Sequence, residues 1–171
     1  GAVDSVALYS DVPLHEIEAI YLDYQSKTSI RLVQVLAEKY WKISPNWKKA
    51  ALGFENKIAG KTAGVIIGDR TFNLSKTYKY KYDLAKEWYE FTGFPFVFAC
   101  WVSTQKLSPT FVDKFNTALA RGVNNIDEAI DKYDEKKISK TQLRRYLSAH
   151  ISYTLSPQKK EAMEVFLDNF V

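Results

Sequence analysis

The run Ala63-Gly64-Val65-Ile66-Ile67, closed by Gly68-Asp69, constrains this chain more than any other stretch. It is apolar on consecutive residues, rich in β-branched side chains, and ends at a turn pair. That pattern predicts a strand buried on both faces, as in an α/β sheet. Upstream, Val6-Ala7-Leu8-Tyr9 reads as a first strand, followed by a turn at Pro13. Ala19-Ile20-Tyr21-Leu22 is a second short apolar run, too brief for a helix, ending at Asp23. After a polar stretch, Ile30, Val33, Leu36, Ala37 and Tyr40 recur at helical spacing, and Leu32 and Val35 widen their face. The spacing predicts a helix over 28–41. Pro45 ends that region, and a short strand is expected at Trp47. Strand, helix, strand in this order predicts a parallel α/β unit.

A second apolar run spans Phe94 to Val102, after a helix that Asp83 is placed to cap. Three helices then close the chain. Ser108-Pro109 is an N-cap followed by proline at the first helical position. Phe111, Phe115, Leu119, Ile126, Ile130 and Tyr133 are expected on one inward face. Ser139 and Gln142 fit a capping box opening a helix with Leu143, Tyr146 and Leu147 inward. Ser156-Pro157 repeats the start signal for a last helix carrying Val165, Phe166 and Phe170. The first part is therefore mixed α/β and the last third helical. The bridge from Phe94 to Trp101 suggests a chain that leaves one lobe, builds another, and returns.

A chain of 171 residues accommodates one domain, or two small lobes sharing a core. Its net charge of +4 is spread along the chain, which gives a general attraction for anions and predicts no nucleic acid partner. The alternation Lys76-Thr77-Tyr78-Lys79-Tyr80-Lys81-Tyr82 resembles a single-strand stacking surface, but an edge strand blunted by lysines explains it as well. The single cysteine, Cys100, lies in the apolar run and is expected to be an inert core thiol. One cysteine makes no internal disulfide, which favours a reducing, cytoplasmic setting. No run of about 18 apolar residues occurs, so no membrane helix is expected. The chain opens on an extended apolar segment without an initiator Met, as a chain entered in its middle would.

Chemistry has few places to sit. Leu22 to Ile30 runs from a strand end through a polar loop into a helix. A helix start presents unpaired N–H groups and the positive end of the macrodipole, and Ser26, Thr28 and Ser29 add hydroxyl donors. Such a site holds carboxylate or phosphate; the same hydroxyls also serve as plain caps. In Ile67-Gly68-Asp69-Arg70, Gly68 permits close backbone approach and Asp69 accepts from a ligand hydroxyl, or the pair is only a turn. Ser5 and Ser10 flank the first strand as further candidates. Phe94, after the Thr92-Gly93 turn, walls a cleft or belongs to the core. His15 and His150 have no metal-ligand spacing, and no nucleophile elbow, P-loop or dinucleotide glycine pattern occurs, so no metal or cofactor is expected.

Ser5-Val6-Ala7-Leu8-Tyr9-Ser10, Leu22-Asp23 with Ser26-Lys27-Thr28-Ser29, Ile67-Gly68-Asp69, and above all Glu87-Trp88-Tyr89-Glu90-Phe91-Thr92-Gly93-Phe94-Pro95-Phe96-Val97-Phe98-Ala99 resemble the chorismate-dehydratase-like family of menaquinone biosynthesis. The resemblance spans nearly the whole chain. It implies a type II periplasmic-binding-protein-like fold, with ligand between two α/β lobes joined by crossing strands. Here 1–10 would be the first crossing strand, 11–93 one complete α/β lobe, 94–102 the return crossing, and 103–171 the helical part of the other lobe. The family's N-terminal portion, with its Tyr-Leu-Asn-Thr-like motif, has no counterpart in this chain. That implies a C-terminal fragment lacking one cleft wall, inactive unless the missing piece is supplied and prone to self-association. The implied reaction is loss of water from the dicarboxylate chorismate, giving 3-[(1-carboxyvinyl)oxy]benzoate on the futalosine route. The catalytic base stays undecided. Of the related readings, the dihydroxynaphthoate synthases share the fold but need a catalytic histidine where neither His15 nor His150 sits. A solute-binding protein for a small carboxylate is the alternative from another class.

Overall fold

The computed structural model describes residues 1–134 and 138–169. Strands β1 (Val6–Ser10), β2 (Ala19–Leu22), β3 (Asn46–Lys49), β4 (Thr62–Ile67) and β5 (Tyr80–Asp83) form one mixed sheet in the order β3-β2-β4-β1-β5. Between β2 and β3 runs helix α1 (Lys27–Val35), which continues to Trp41 as a wider π-helical stretch. β2 lies parallel to both β3 and β4, so the expected parallel unit is present. β1 runs antiparallel to β4 and β5 and makes the sheet mixed. Lysine-bearing β3 and β5 occupy its two edges, where exposed charge discourages further strand pairing.

Both faces of the sheet are covered, and successive strand residues serve opposite faces. Leu8, Ile20, Ala63 and Val65 join Leu32 and Val33 of α1, and Leu36 of the stretch that continues it, in one core. Ala7, Tyr9 and Ile66 point the other way, onto Phe54 and Ile58. Helix α2 (Leu84–Thr92) packs on the first core through Leu84 and Trp88.

Asp83 caps α2 as expected, its Oδ1 accepting the Ala85 and Lys86 N–H groups at 3.1 Å. Its Oδ2 accepts two more, from Val3 (3.0 Å) and Asp4 (2.7 Å), and so ties the start of the chain to the sheet. The other start signals also cap helices: Ser108 for α3 (Pro109–Asn124), Ser139 with Gln142 for α5 (Lys140–Arg145), and Ser156 for α6 (Pro157–Asp168). Between α3 and α5 lies the short helix α4 (Ile126–Asp131).

Two compact units divide the chain: residues 1–98 with α6, and residues 99–155. The last helix therefore belongs with the sheet, not with the preceding helices as 103–171 had implied. Phe166 of α6 meets Trp88 at 5.5 Å and Phe96 at 4.7 Å between ring centroids. Phe170 lies outside the described residues.

Phe94 to Val102 was expected to be a strand, and it forms no ladder among the described residues. Its apolar run reports burial rather than pairing. Phe96 and Phe98 pack on the first core as irregular chain, and Cys100 is exposed instead of buried. In the second unit Ile130 and Ile138 are buried, Trp101 packs edge-on to Phe115 at 5.4 Å, and Arg144 pairs with Asp127 at 2.6 Å. The expected inward face of α3 is largely open, with Phe111 51% exposed and Leu119 38%. Among the described residues no helix is long and apolar enough to cross a membrane.

Candidate functional site

β2 and β4 are parallel neighbours, so the chain leaves both at the same end of the sheet. The loop from Asp23 to Ser26 and the turn at Gly68-Asp69 therefore lie at adjacent strand ends. This is where open α/β sheets place ligands.

The first loop is shaped by its own polar groups. Asp23 is fully buried, and its Oδ1 accepts the Gln25 N–H at 2.9 Å, which bends the chain after β2. Ser26 then caps α1: its Oγ accepts the Ser29 N–H at 3.1 Å and donates to Ser29 Oγ at 3.0 Å. Ile30 N–H begins the helical ladder on the Ser26 carbonyl. Among the described residues the Lys27 and Thr28 N–H groups and the Thr28 hydroxyl have no protein partner. Ser26 is thus the plain cap that its residue type allowed, Ser29 is its 1% exposed support, and the open donors belong to Lys27 and Thr28. Lys27 adds its own positive charge to that end of the macrodipole.

The second turn enters from β4. Gly68 has φ +65°, a backbone conformation that favours glycine. Its N–H donates to the Ser5 carbonyl at 2.8 Å, and its carbonyl accepts the Thr71 hydroxyl at 2.8 Å. Asp69 follows on the exposed surface, with no hydrogen bond among the described residues.

Six of the expected residues, Ser5, Ser26, Thr28, Ser29, Gly68 and Asp69, are gathered at this end. Two are not. Ser10 closes β1 at the far end, five residues or about 16 Å from Ser5. Its Oγ donates to the Val12 carbonyl and accepts the Val12 N–H, a turn that uses the side chain up locally. Phe94 follows the left-handed Gly93 at the end of α2, nine residues or about 14 Å of helix beyond Asp83. Its N–H donates to Thr92 Oγ1, and no bond joins it to the two loops among the described residues.

Arg70 was missed as a candidate. One guanidinium nitrogen donates to Asp23 Oδ2 and to Gln25 Oε1 (3.1 Å), the other to Glu55 Oε1 (2.7 Å). Its carbon lies 5.4 Å from the Tyr24 ring centroid and 5.8 Å from that of Phe54. Asp23 and Arg70 stand 47 residues apart, so no local pattern announces the pair. Burial also shifts titrating groups outside this end. Tyr9 is pushed up to about 12 by burial, reinforced by Asp4 and Asp83. Burial raises Glu87 above the usual carboxylate range, while the Trp41 indole N–H bonded to it at 2.8 Å pulls it back.

The pattern of a menaquinone biosynthesis family matches residues 1–170. This chain belongs to that family. It is also 30% identical, over 140 residues, to a chorismate dehydratase from Campylobacter jejuni. That match covers 80% of this chain and 62% of the relative's length. The menaquinone family chain thus carries, at one end of its sheet, an open helix start beside a glycine turn. The two loops are braced by one arginine.

Proposed function

We propose that the protein carrying this chain is a chorismate dehydratase, a carbon–oxygen lyase that makes 3-[(1-carboxyvinyl)oxy]benzoate. The observation that supports it most is the pair of unengaged N–H groups at Lys27 and Thr28, beside the Thr28 hydroxyl. A helix start of this kind suits one carboxylate of the chorismate dianion. Asp69, exposed at the neighbouring turn, accepts a hydrogen bond from a substrate hydroxyl. The name of the Campylobacter jejuni relative supports the same reading.

Losing water from chorismate aromatises the ring, which supplies a strong driving force. The protein's task is then to orient the substrate and exclude water. A two-lobed, periplasmic-binding-protein-like cleft performs both, and we assign the sheet end described above to one wall of it. The futalosine route and a cytoplasmic setting complete the reading, in keeping with the family and the single cysteine.

The test is incubation of the full-length protein with chorismate, following the product by liquid chromatography and mass. Appearance of the substituted benzoate is expected. No product, together with tight binding of another carboxylate, would establish a solute-binding protein in its place.

A further inference from the structure

Arg70 sits at the junction of three segments that share no sequence neighbourhood: the loop after β2, the short helix Phe54–Lys57, and the turn after β4. Its two terminal nitrogens reach Asp23, Gln25 and Glu55, and its guanidinium carbon lies over both the Tyr24 and the Phe54 ring. This guanidinium is therefore engaged inward and does not stand ready as a ligand's counter-ion.

We propose that Arg70 is a positioning residue that makes the two ligand loops one rigid unit, setting the Lys27 and Thr28 donors relative to the Gly68-Asp69 turn. This rests on reading that end of the sheet as the carboxylate site. Asp23 links the two loops. Its Oδ1 fixes Gln25, one residue before the cap Ser26, and its Oδ2 is held by an arginine two residues beyond Gly68. Movement of either loop breaks a bond to a fully buried carboxylate, which is costly. Gln25 shares one terminal nitrogen with Asp23, and Glu55 holds the other, so turning the fork to release one loop strains a bond to another segment. Lysine at this position would keep the charge but lose the planar fork that reaches three acceptors at once.

Arg70→Lys separates positioning from plain stability. The melting temperature is expected to stay within a few degrees of wild type, because the buried Asp23 keeps a cation. Hydrogen exchange at the Gln25 and Gly68 amides should speed up by about tenfold, with β1 amides unchanged. Chorismate should bind about tenfold more weakly to the folded variant. In the wild type, chorismate should move the Lys27 and Thr28 amide signals and leave the Arg70 guanidinium N–H signals in place. Unchanged exchange and unchanged affinity in Arg70→Lys would overturn the proposal, as would a ligand-induced shift centred on the Arg70 guanidinium. If the wild type binds no chorismate, the dehydratase reading fails. The coupling of the loops is then decided by the Gln25 and Gly68 exchange rates alone.

Discussion

Trp88→Ala is expected to lower the unfolding free energy by about 3–5 kcal/mol, measured by urea denaturation followed by circular dichroism. Trp88 is fully buried at the meeting point of α2, the irregular segment after it, and α6. Its ring contacts Phe96 at 5.7 Å, Phe166 at 5.5 Å and Phe91 at 6.1 Å, all edge-on. Removing it takes away one of the largest buried side chains and leaves a void that three aromatic rings fill only in part. Proteins of this kind are stable by only about 5–15 kcal/mol, so the loss is a large share of the total. The indole N–H has no hydrogen-bond partner among the described residues. Trp88→Phe therefore removes an unsatisfied donor along with some volume and should cost only about 1 kcal/mol. Equal losses for the two variants would mean that the site does not pack as described.

Asp83→Ala should cost about 3 kcal/mol. Two of the four N–H groups on this carboxylate belong to the α2 cap, and a lost cap costs about 1 kcal/mol. The other two come from Val3 and Asp4, and bonds to a charged acceptor are worth about 1.5–3 kcal/mol each before solvent repairs part of the loss. Asp4 sits at φ +62°, a conformation that its bond to Asp83 helps to hold. Hydrogen exchange should show the Val3 and Asp4 amides opening first. Asp83→Asn keeps an acceptor for the helix cap and should recover about half the loss. Fast exchange confined to α2, with Val3 and Asp4 unaffected, would contradict the four-bond account.

What was legible from sequence was local. Ser108, Ser139, Ser156 and Asp83 each bond to backbone two or three residues on, and the chain declares such caps by residue type and spacing. The parallel β2–α1–β4 arrangement followed from short continuous apolar runs on either side of apolar residues at helical spacing. The run from Phe94 to Val102 shows where this fails. Hydrophobicity marks Phe96 and Phe98 as buried, but whether they pair as a strand depends on which edge is available to them. The same limit applies to α3, whose Phe111 and Leu119 keep helical spacing while staying exposed.

The candidate site divides in the same way. Ser26 and Gly68 were visible because a cap and a left-handed turn are properties of a few consecutive residues. Ser10 and Phe94 were candidates as well, and strand register and helix length place them elsewhere. Arg70 was invisible as a clamp because its partners Asp23 and Glu55 come from segments 47 and 15 residues away.

A carboxylate of chorismate is expected to dock on the first turn of α1. Titrating the protein with chorismate while following backbone amide signals tests it most directly, with Thr28→Val alongside. The largest shifts should fall on Lys27, Thr28 and Gly68, and loss of the Thr28 hydroxyl should weaken binding by about tenfold, or about 1.4 kcal/mol. Shifts centred elsewhere, or an unchanged affinity in Thr28→Val, would contradict it.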